Sequence, residues 1–150
     1  MGMIIALACD HGGHTLKEKI QGWLTDAGYQ VRDFGCCGTD SVDYPDYAFP
    51  AAEAVAKGEA DRAVLVCTTG IGVSICANKV KGVRCALCTD TMTARLTREH
   101  NDANALAIGA GVVGENLAKE ILFTWLDTPF SQAARHQRRI DKISAYESQP

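Results

Sequence analysis

Short apolar runs alternate with amphipathic segments along the chain. Residues 3–9 form a continuous apolar run, and the segment after it places Leu16, Ile20 and Leu24 at helical spacing. Further runs predict strands at 29–34, 61–67, 83–88 and 104–108, and amphipathic stretches predict helices at 47–58, 71–80, 91–100, 114–126 and 132–147. This alternation indicates βαβ units. It therefore predicts one α/β domain over residues 1–150, built on a doubly wound, five-stranded parallel sheet in a three-layer α/β/α arrangement.

Polar residues follow the first three predicted strands at the points where those strands end. Asp10 and His11 follow the first strand, Tyr44 lies in the loop after the second, and Cys67 ends the third. Ligands of open parallel sheets bind outside the carboxyl ends of the strands. These residues are therefore the first candidates for a functional site.

Composition narrows the classes of function. The chain is 47% hydrophobic and 22% charged, and its net charge of -3 does not favour binding to nucleic acid. No apolar stretch approaches the roughly 20 residues that cross a bilayer. The first residues also lack the basic region and apolar core of a signal peptide. We therefore expect a cytoplasmic protein without a membrane partner.

The seven cysteines form an odd set scattered through apolar runs, which is unlike the paired framework of a small secreted domain. We expect them to be reduced. Cys85 and Cys88 match C-x-x-C, but residues three apart on a strand point to opposite faces, which argues against a shared metal or disulfide. Together with Cys9 and Cys76, they are expected to be small core residues.

The turn after the third strand, "CTTGIG" at 67–72, combines a thiol with the start of a predicted helix. The backbone N–H groups of residues 69–72 are expected to face the same cleft as Cys67, where they would favour a thiolate and bind an anion. The turn does not match the glycine fingerprint of dinucleotide-binding proteins. That fingerprint needs a third glycine where Ile75 stands and normally follows the first strand, so a nicotinamide cofactor is not expected. The residues alone leave two interpretations of Cys67 open, a general base or nucleophile and a buried structural thiol.

Three other polar groups are candidates for a functional role, and two of them also have a structural interpretation. His100 either takes part in catalysis or caps a helix, and Asp10 with His11 could receive an anion at the start of the first helix. No supporting spacing for a metal site is present. Arg135 and Arg139 lie four residues apart on one predicted helical face, which suits a phosphate monoester or a solvated basic surface.

Taken together, these motifs resemble the type B ribose-5-phosphate isomerases, a family that also includes galactose-6-phosphate isomerase subunits. The resemblance covers nearly the full length of the chain, and the motifs occur in the family's order. They are "CDHGG" at 9–13, "DYPDYA" at 43–48, "VCTTGIGVSICANK" at 66–79, "REHNDANALAIGAGVVG" at 98–114 and "ARHQRRI" at 134–140.

The resemblance implies a Rossmann-like α/β fold and aldose–ketose isomerisation of a sugar phosphate without a metal or cofactor. It also implies a homodimer or homotetramer with active sites at the subunit boundary. By the same resemblance, Cys67 is the base that moves a proton between C1 and C2, and His100 opens the sugar ring. The other implied roles are an anion hole at Thr69, Gly70, Ile71, Gly72 and Ser74, sugar contacts from Asp10, Tyr44 and Asn101, and phosphate contacts from His11, Arg135 and Arg139.

The chain departs from the family pattern at two positions. Thr68 stands where a glycine is common, and Gly111 stands where relatives often have an arginine that helps to bind phosphate. The implied reaction is the interconversion of ribose 5-phosphate and ribulose 5-phosphate through a cis-enediolate. Another sugar remains open as substrate, whether a tetrose, pentose or hexose phosphate or a free sugar. So do a non-catalytic sugar-phosphate-binding subunit and a thiol redox protein with Cys76 as the resolving thiol.

Overall fold

The computed structural model describes residues 2–150, in which five strands alternate with helices. The strands are β1 (Ile4–Cys9), β2 (Gln30–Asp33), β3 (Arg62–Cys67), β4 (Cys85–Leu87) and β5 (Ala105–Gly109). The helices are α1 (His14–Asp26), α2 (Pro45–Ala56), α3 (Ile71–Asn78), α4 (Thr91–Asn101), α5 (Glu115–Asp127) and α6 (Ala134–Glu147). Every predicted strand and helix is therefore present.

The five strands form one sheet in the order β2-β1-β3-β5-β4, and all paired strands are parallel. Helices α1, α4 and α5 contribute core residues on one face, and α2 and α3 do so on the other. The predicted Rossmann-like, doubly wound fold of three layers is confirmed. The chain first moves outward from β1 to β2 and then crosses to β3 on the other side, which creates a crevice between the carboxyl ends of β1 and β3.

The two faces of the sheet have different packing because alternate residues of each strand point to opposite sides. Ile5 and Leu7 of β1 pack with large side chains such as Trp125 of α5. Ala6 and Ala8 face α2, whose buried residues are all alanines. These small side chains allow α2 to lie close to the sheet, and its first turn therefore reaches the crevice.

The boundaries of α2 and β4 differ from the predicted ones. α2 begins at Pro45, two residues earlier than predicted, because proline is well suited to the first turn of a helix. β4 is shorter than predicted and lies at an edge of the sheet. Because β4 lies at the edge, Cys85 is only half-buried, and the prediction that it is a core residue was wrong. Cys9, Cys76 and Cys88 are buried as predicted.

Candidate active site

Cys67 lies at the carboxyl end of β3, with 5% of its surface exposed. The N–H group of Gly70 donates a hydrogen bond of 3.1 Å to its sulfur. Gly70 has φ of 78°, and a Cβ atom there would lie 2.5 Å from Leu87 Cδ1 and 3.0 Å from the Gly109 nitrogen. Only glycine fits this conformation and this space, so the residue type at 70 is what turns a backbone donor toward the thiol.

The first turn of α3 supplies fewer free donors than predicted. Besides the Gly70 donor, the Ile71 N–H group bonds to Thr69 Oγ1 at 3.2 Å. Within residues 2–150, this leaves the N–H groups of Thr69 and Gly72 without a protein acceptor. Of the four N–H groups of residues 69–72 that were predicted to face the cleft, two are therefore bonded to cavity residues within the turn itself and are not free to bind an anion. The remaining two lie beside the thiol at the start of a helix, where an anion is favoured.

Asp10 and Tyr44 border the same crevice from the neighbouring elements. A cavity of about 390 Å³ there is lined by Asp10, Tyr44, Cys67, Thr68, Thr69, Ile71, Gly72 and Ile75. Oδ1 of the buried Asp10 accepts from the N–H groups of Gly12 and Gly13, at 2.9 and 3.2 Å. A Cβ at Gly72 would lie 2.6 Å from two ring atoms of Tyr44. The glycine thus lets the phenol lie over the start of α3.

His11 and Ser74 each have an internal partner. His11 Nδ1 accepts a hydrogen bond of 3.1 Å from the Val42 N–H group. The Nδ1 side of the ring is therefore occupied by the backbone of the loop after β2. The Ser74 hydroxyl donates to the Ile71 carbonyl at 2.7 Å. The hydroxyl proton of Ser74 is therefore used inside α3 rather than offered to a ligand.

The remaining predicted residues form a separate group on α4 and α6. His100 and Asn101 end α4, and Arg135 and Arg139 lie on the exposed side of α6. The imidazole rings of His100 and His136 are in contact, with centroids 4.3 Å apart. This contact brings the predicted ring-opening histidine next to the predicted phosphate-binding arginines.

His136 also belongs to this group, although it was not among the residues predicted from the sequence. It is buried, and its Nδ1 lies 2.6 Å from the Ser131 hydroxyl. Burial lowers the pKa of His136, and the nearby charges of Arg135 and His100 lower it further. The signal was present in "ARHQRRI", where a histidine lies between the two arginines on the other side of the helix.

The two groups lie at opposite ends of the sheet within one chain. β5 follows α4, and its first residue, Ala105, pairs with Ala63 near the start of β3, whereas Cys67 pairs with Gly109 at the far end. Four residues of parallel strand separate Ala63 from Cys67 by about 13 Å. The Asn101 carbonyl also accepts from Arg84, which immediately precedes β4. One chain therefore does not bring Cys67 and His100 together.

Thr68 separates the Cys67 cavity from a second one. The second cavity, of about 420 Å³, is lined by Gly12, Thr15, Leu16, Lys19, Thr68, Ala110, Gly111, Val113, Gly114 and Glu115. A Cβ at Gly12 would collide with Thr68 Oγ1, and one at Gly111 would lie 3.0 Å from Thr68 Cγ2. The two departures from the family pattern are thus neighbours in space, and the threonine side chain occupies room that a side chain at 111 would need.

Within the described residues, 2–150, no group of three or more His, Cys, Asp or Glu side chains is arranged to hold a metal ion. Nor is any of the helices found there both long and apolar enough to span a bilayer.

Comparison with known proteins identifies a family over almost the whole chain. The profile described as Ribose/Galactose Isomerase matches residues 5–143. Ribose-5-phosphate isomerase B of Escherichia coli is 46% identical over 95% of both chains, and D-erythrulose-4-phosphate isomerase of Pectobacterium atrosepticum is 40% identical over 97% of this chain and 95% of its own. The structure of ribose-5-phosphate isomerase B from Clostridium thermocellum is 51% identical, covers 97% of both chains and superposes with a TM-score of 0.95.

Proposed function

The chain belongs to the ribose/galactose isomerase family, and on that premise we propose that it interconverts the aldose and ketose forms of a sugar phosphate. The substrate proposed is ribose 5-phosphate, which is converted to ribulose 5-phosphate through a cis-enediolate. The observation that carries the proposal is the Cys67 thiol, held by the Gly70 N–H group in a cavity that also contains Asp10 and Tyr44.

This arrangement suits the abstraction of a proton next to a carbonyl group. The Cys67 sulfur takes the proton from C2 of the aldose, and negative charge develops on O1. The free N–H groups of Thr69 and Gly72 are fixed donors for that oxygen, and they need no reorganisation as the charge forms. The proton then returns to C1, and the hydroxyl proton of O2 passes to O1. Asp10 and Tyr44 border the cavity, where they can bind sugar hydroxyls.

We propose further that a second copy of the chain completes each site. One chain offers the base and the oxyanion donors at one end of the sheet, whereas His100, Arg135 and Arg139 lie toward the other. The rim of the Cys67 cavity is apolar, with Ile71 and Ile75 52% and 55% exposed, and such exposed side chains are typical of a subunit contact. In a homodimer, the His100 group of one subunit would then face the Cys67 cavity of the other.

The length of the sugar is the least constrained part of the proposal. The named relatives include isomerases of a five-carbon and of a four-carbon phosphate. Purified protein should therefore be screened by NMR against aldose phosphates of four to six carbons and against the free sugars. Conversion of ribose 5-phosphate with the highest kcat/KM is the expected result. Binding without conversion of any of these compounds would instead favour a non-catalytic binding subunit.

Replacement of the thiol tests the catalytic assignment. Cys67→Ala should lower kcat by roughly 10²–10⁴-fold because a general base contributes about that much, while substrate affinity changes little. Cys88→Ala is the matched control, since Cys88 is also buried but packs beside Ala94 and other residues outside the cavity. Near-normal turnover by a folded Cys67→Ala enzyme would refute the role of the thiol.

Mixing two inactive variants tests whether the site is shared between subunits. If it is, a Cys67→Ala subunit still supplies His100, and a His100→Ala subunit still supplies Cys67, so each heterodimer has one intact site. Random mixing should restore about one quarter of wild-type activity, because half of the dimers are mixed and half of their sites are intact. No recovery in a mixture shown by native mass spectrometry to contain heterodimers would place both residues in a site within one chain.

A further inference from the structure

Two buried cysteines lie next to each other, and one of them directly precedes Asp10, which lines the Cys67 cavity. Cys9 is the last residue of β1, Cys36 lies in the loop after β2, and both are at most 2% exposed. Their sulfur atoms are 3.8 Å apart. The Cys9 N–H group donates to the Gly35 carbonyl at 2.7 Å, and the Cys36 N–H group donates to the Cys9 carbonyl at 2.9 Å. This pairing extends the β1–β2 ladder and gives the two residues the backbone proximity that a disulfide requires.

Of the two cysteines, Cys36 borders a cavity. A cavity of about 260 Å³ is lined by Cys36, Cys37, Gly38, Asp40, Val42 and Tyr47. This cavity is open to solvent, because Cys37 in its wall is exposed. Cys9 is not among the lining residues, and burial raises its pKa to about 12, which keeps it in the thiol form. A small reagent would therefore meet Cys36 first.

A cation lies beside the pair. The ammonium group of Lys17 is buried, and it donates to the Cys36 carbonyl at 3.1 Å and to Asp33 Oδ2 at 2.8 Å. Burial is the larger effect and raises the pKa of Cys9, whereas the charge of this ammonium group acts to lower it. The surroundings thus differ from those of an isolated core cysteine.

We propose that Cys9 and Cys36 are a site of reversible thiol oxidation, at which a small hydroperoxide such as hydrogen peroxide converts the pair to a disulfide. The Cys36 sulfur attacks one peroxide oxygen, the O–O bond breaks, and Cys36 becomes a sulfenic acid as water is released. The Cys9 sulfur then attacks the Cys36 sulfur, the S–O bond breaks, and a second water leaves. The two thiols lose two electrons in total, and the peroxide gains them. A dithiol reverses the reaction by thiol–disulfide exchange.

The disulfide would act on the neighbouring crevice because Asp10 follows Cys9 directly. Closing the S–S distance from 3.8 Å to the roughly 2.05 Å of a disulfide draws the two loops together. Asp10 holds the turn before α1 through its bonds to Gly12 and Gly13, so the movement reaches the cavity wall. Displacements of about 1 Å in an active site can cost about 10²-fold in rate. The expected loss of activity rests on the proposed function, whereas formation of the disulfide does not.

Peptide mapping by mass spectrometry tests the site itself. Native protein is treated with a small excess of hydrogen peroxide, free thiols are blocked, and the digest is analysed without reduction. The expected result is a Cys9–Cys36 linked peptide, lighter than the two separate peptides by two hydrogen atoms and lost after treatment with a dithiol. The link should be absent in Cys36→Ser and Cys9→Ser and should persist in Cys37→Ser. Oxidation confined to Cys37 or Cys67, or a link that forms only in denaturant, would overturn the proposal.

Activity measurements then test the effect on the crevice. In wild type and in Cys37→Ser, kcat/KM should fall at least 10-fold in parallel with the linked fraction, and it should recover with a dithiol. Cys36→Ser should keep its activity under the same treatment. Equal inactivation of Cys36→Ser would mean that another thiol, such as Cys67, is the sensitive one, and this would overturn the proposed control. If no sugar phosphate is converted at all, the proposed function fails while the peptide map still decides on the disulfide.

Discussion

An arginine at position 111 provides the most direct test of how this chain differs from its relatives. Such a side chain would add a cation near the crevice, and one charge-assisted contact to phosphate is worth about 1.5–3 kcal/mol. If the contact forms, kcat/KM for ribose 5-phosphate should rise by about 10- to 150-fold, while kcat/KM for unphosphorylated ribose stays the same.

The structure predicts that Gly111→Arg alone will not deliver this gain. Its Cβ would lie 3.0 Å from Thr68 Cγ2 and 3.1 Å from the Thr68 carbonyl oxygen, which already accepts a 2.8 Å bond from the Gly111 N–H group. Overpacking of this kind costs about 1–3 kcal/mol, which is close to the expected gain. Removing the threonine side chain relieves the first contact. We therefore expect little change from Gly111→Arg in the wild-type background and a gain of at least 10-fold in the Thr68→Gly background.

Four proteins form the required cycle, namely wild type, each single variant and the double variant. Steady-state kinetics with ribose 5-phosphate and with ribose give the discrimination ratio for each. Gly22→Arg is the control for added charge, because Gly22 lies on α1 with open space around its Cα and two turns away from the crevice. If arginine leaves the ratio unchanged in both backgrounds, another group supplies the phosphate charge. In that case the reasoning about position 111 is refuted.

Three further predictions concern the scaffold of the site. Gly70→Ala should abolish most activity because the backbone donor to Cys67 would move. Gly58 has a similar φ of 76° but open space around it, so Gly58→Ala should only lower the stability of the fold. Measurements of kcat/KM and of urea unfolding for both variants separate the two effects. Lys17→Met should lower the free energy of unfolding by about 1–3 kcal/mol because it removes a partly buried ion pair, in which Lys17 is buried. Lys19→Met, which breaks an exposed pair, should lower it by less than about 1 kcal/mol. Because the pKa of His136 is lowered from 6.5 in the folded protein, the unfolded state binds the proton more readily. Wild type should therefore lose stability relative to His136→Gln as the pH falls below about 6.5, and urea unfolding at several pH values would measure this loss.

The alternation of strands and helices was predictable because each buried strand is a continuous apolar run and each covering helix has an apolar face. The sheet order was not, since alternation does not say that β5 lies between β3 and β4. Chemistry confined to one turn, such as a thiol followed by a glycine-rich helix start, is visible in a sequence. Even there, the use of the Gly70 N–H group by Cys67 depends on a backbone angle that only the structure gives.

Contacts between distant segments were the part of the site that could not be predicted. Thr68 and Gly111 are separate departures in the sequence, 43 residues apart, and only the adjacency of β3 and β5 makes them neighbours. The same holds for Cys9 and Cys36, whose pairing depends on how the chain continues beyond β2. His136 could be read from its motif, but its contact with His100 follows from the packing of α6 against the end of α4. Residue types indicate which chemistry is possible, and the topology of the fold determines which residues are in contact.

The distance between Cys67 and His100 is a property of the fold rather than of side-chain conformation. α4 starts after the carboxyl end of β4 and has 11 residues, so its other end lies about 16 Å away along the helix. That end is fixed by Arg98, which donates to the Ala103 carbonyl at 2.7 Å and to the Thr128 carbonyl at 3.2 Å. A change of rotamer at His100 cannot cover this distance, and a loop movement would have to break buried hydrogen bonds. In the proposed homodimer a two-fold related copy would cover it, because a symmetric contact would bring the end of α4 in each subunit to the cavity of the other and complete two sites at once.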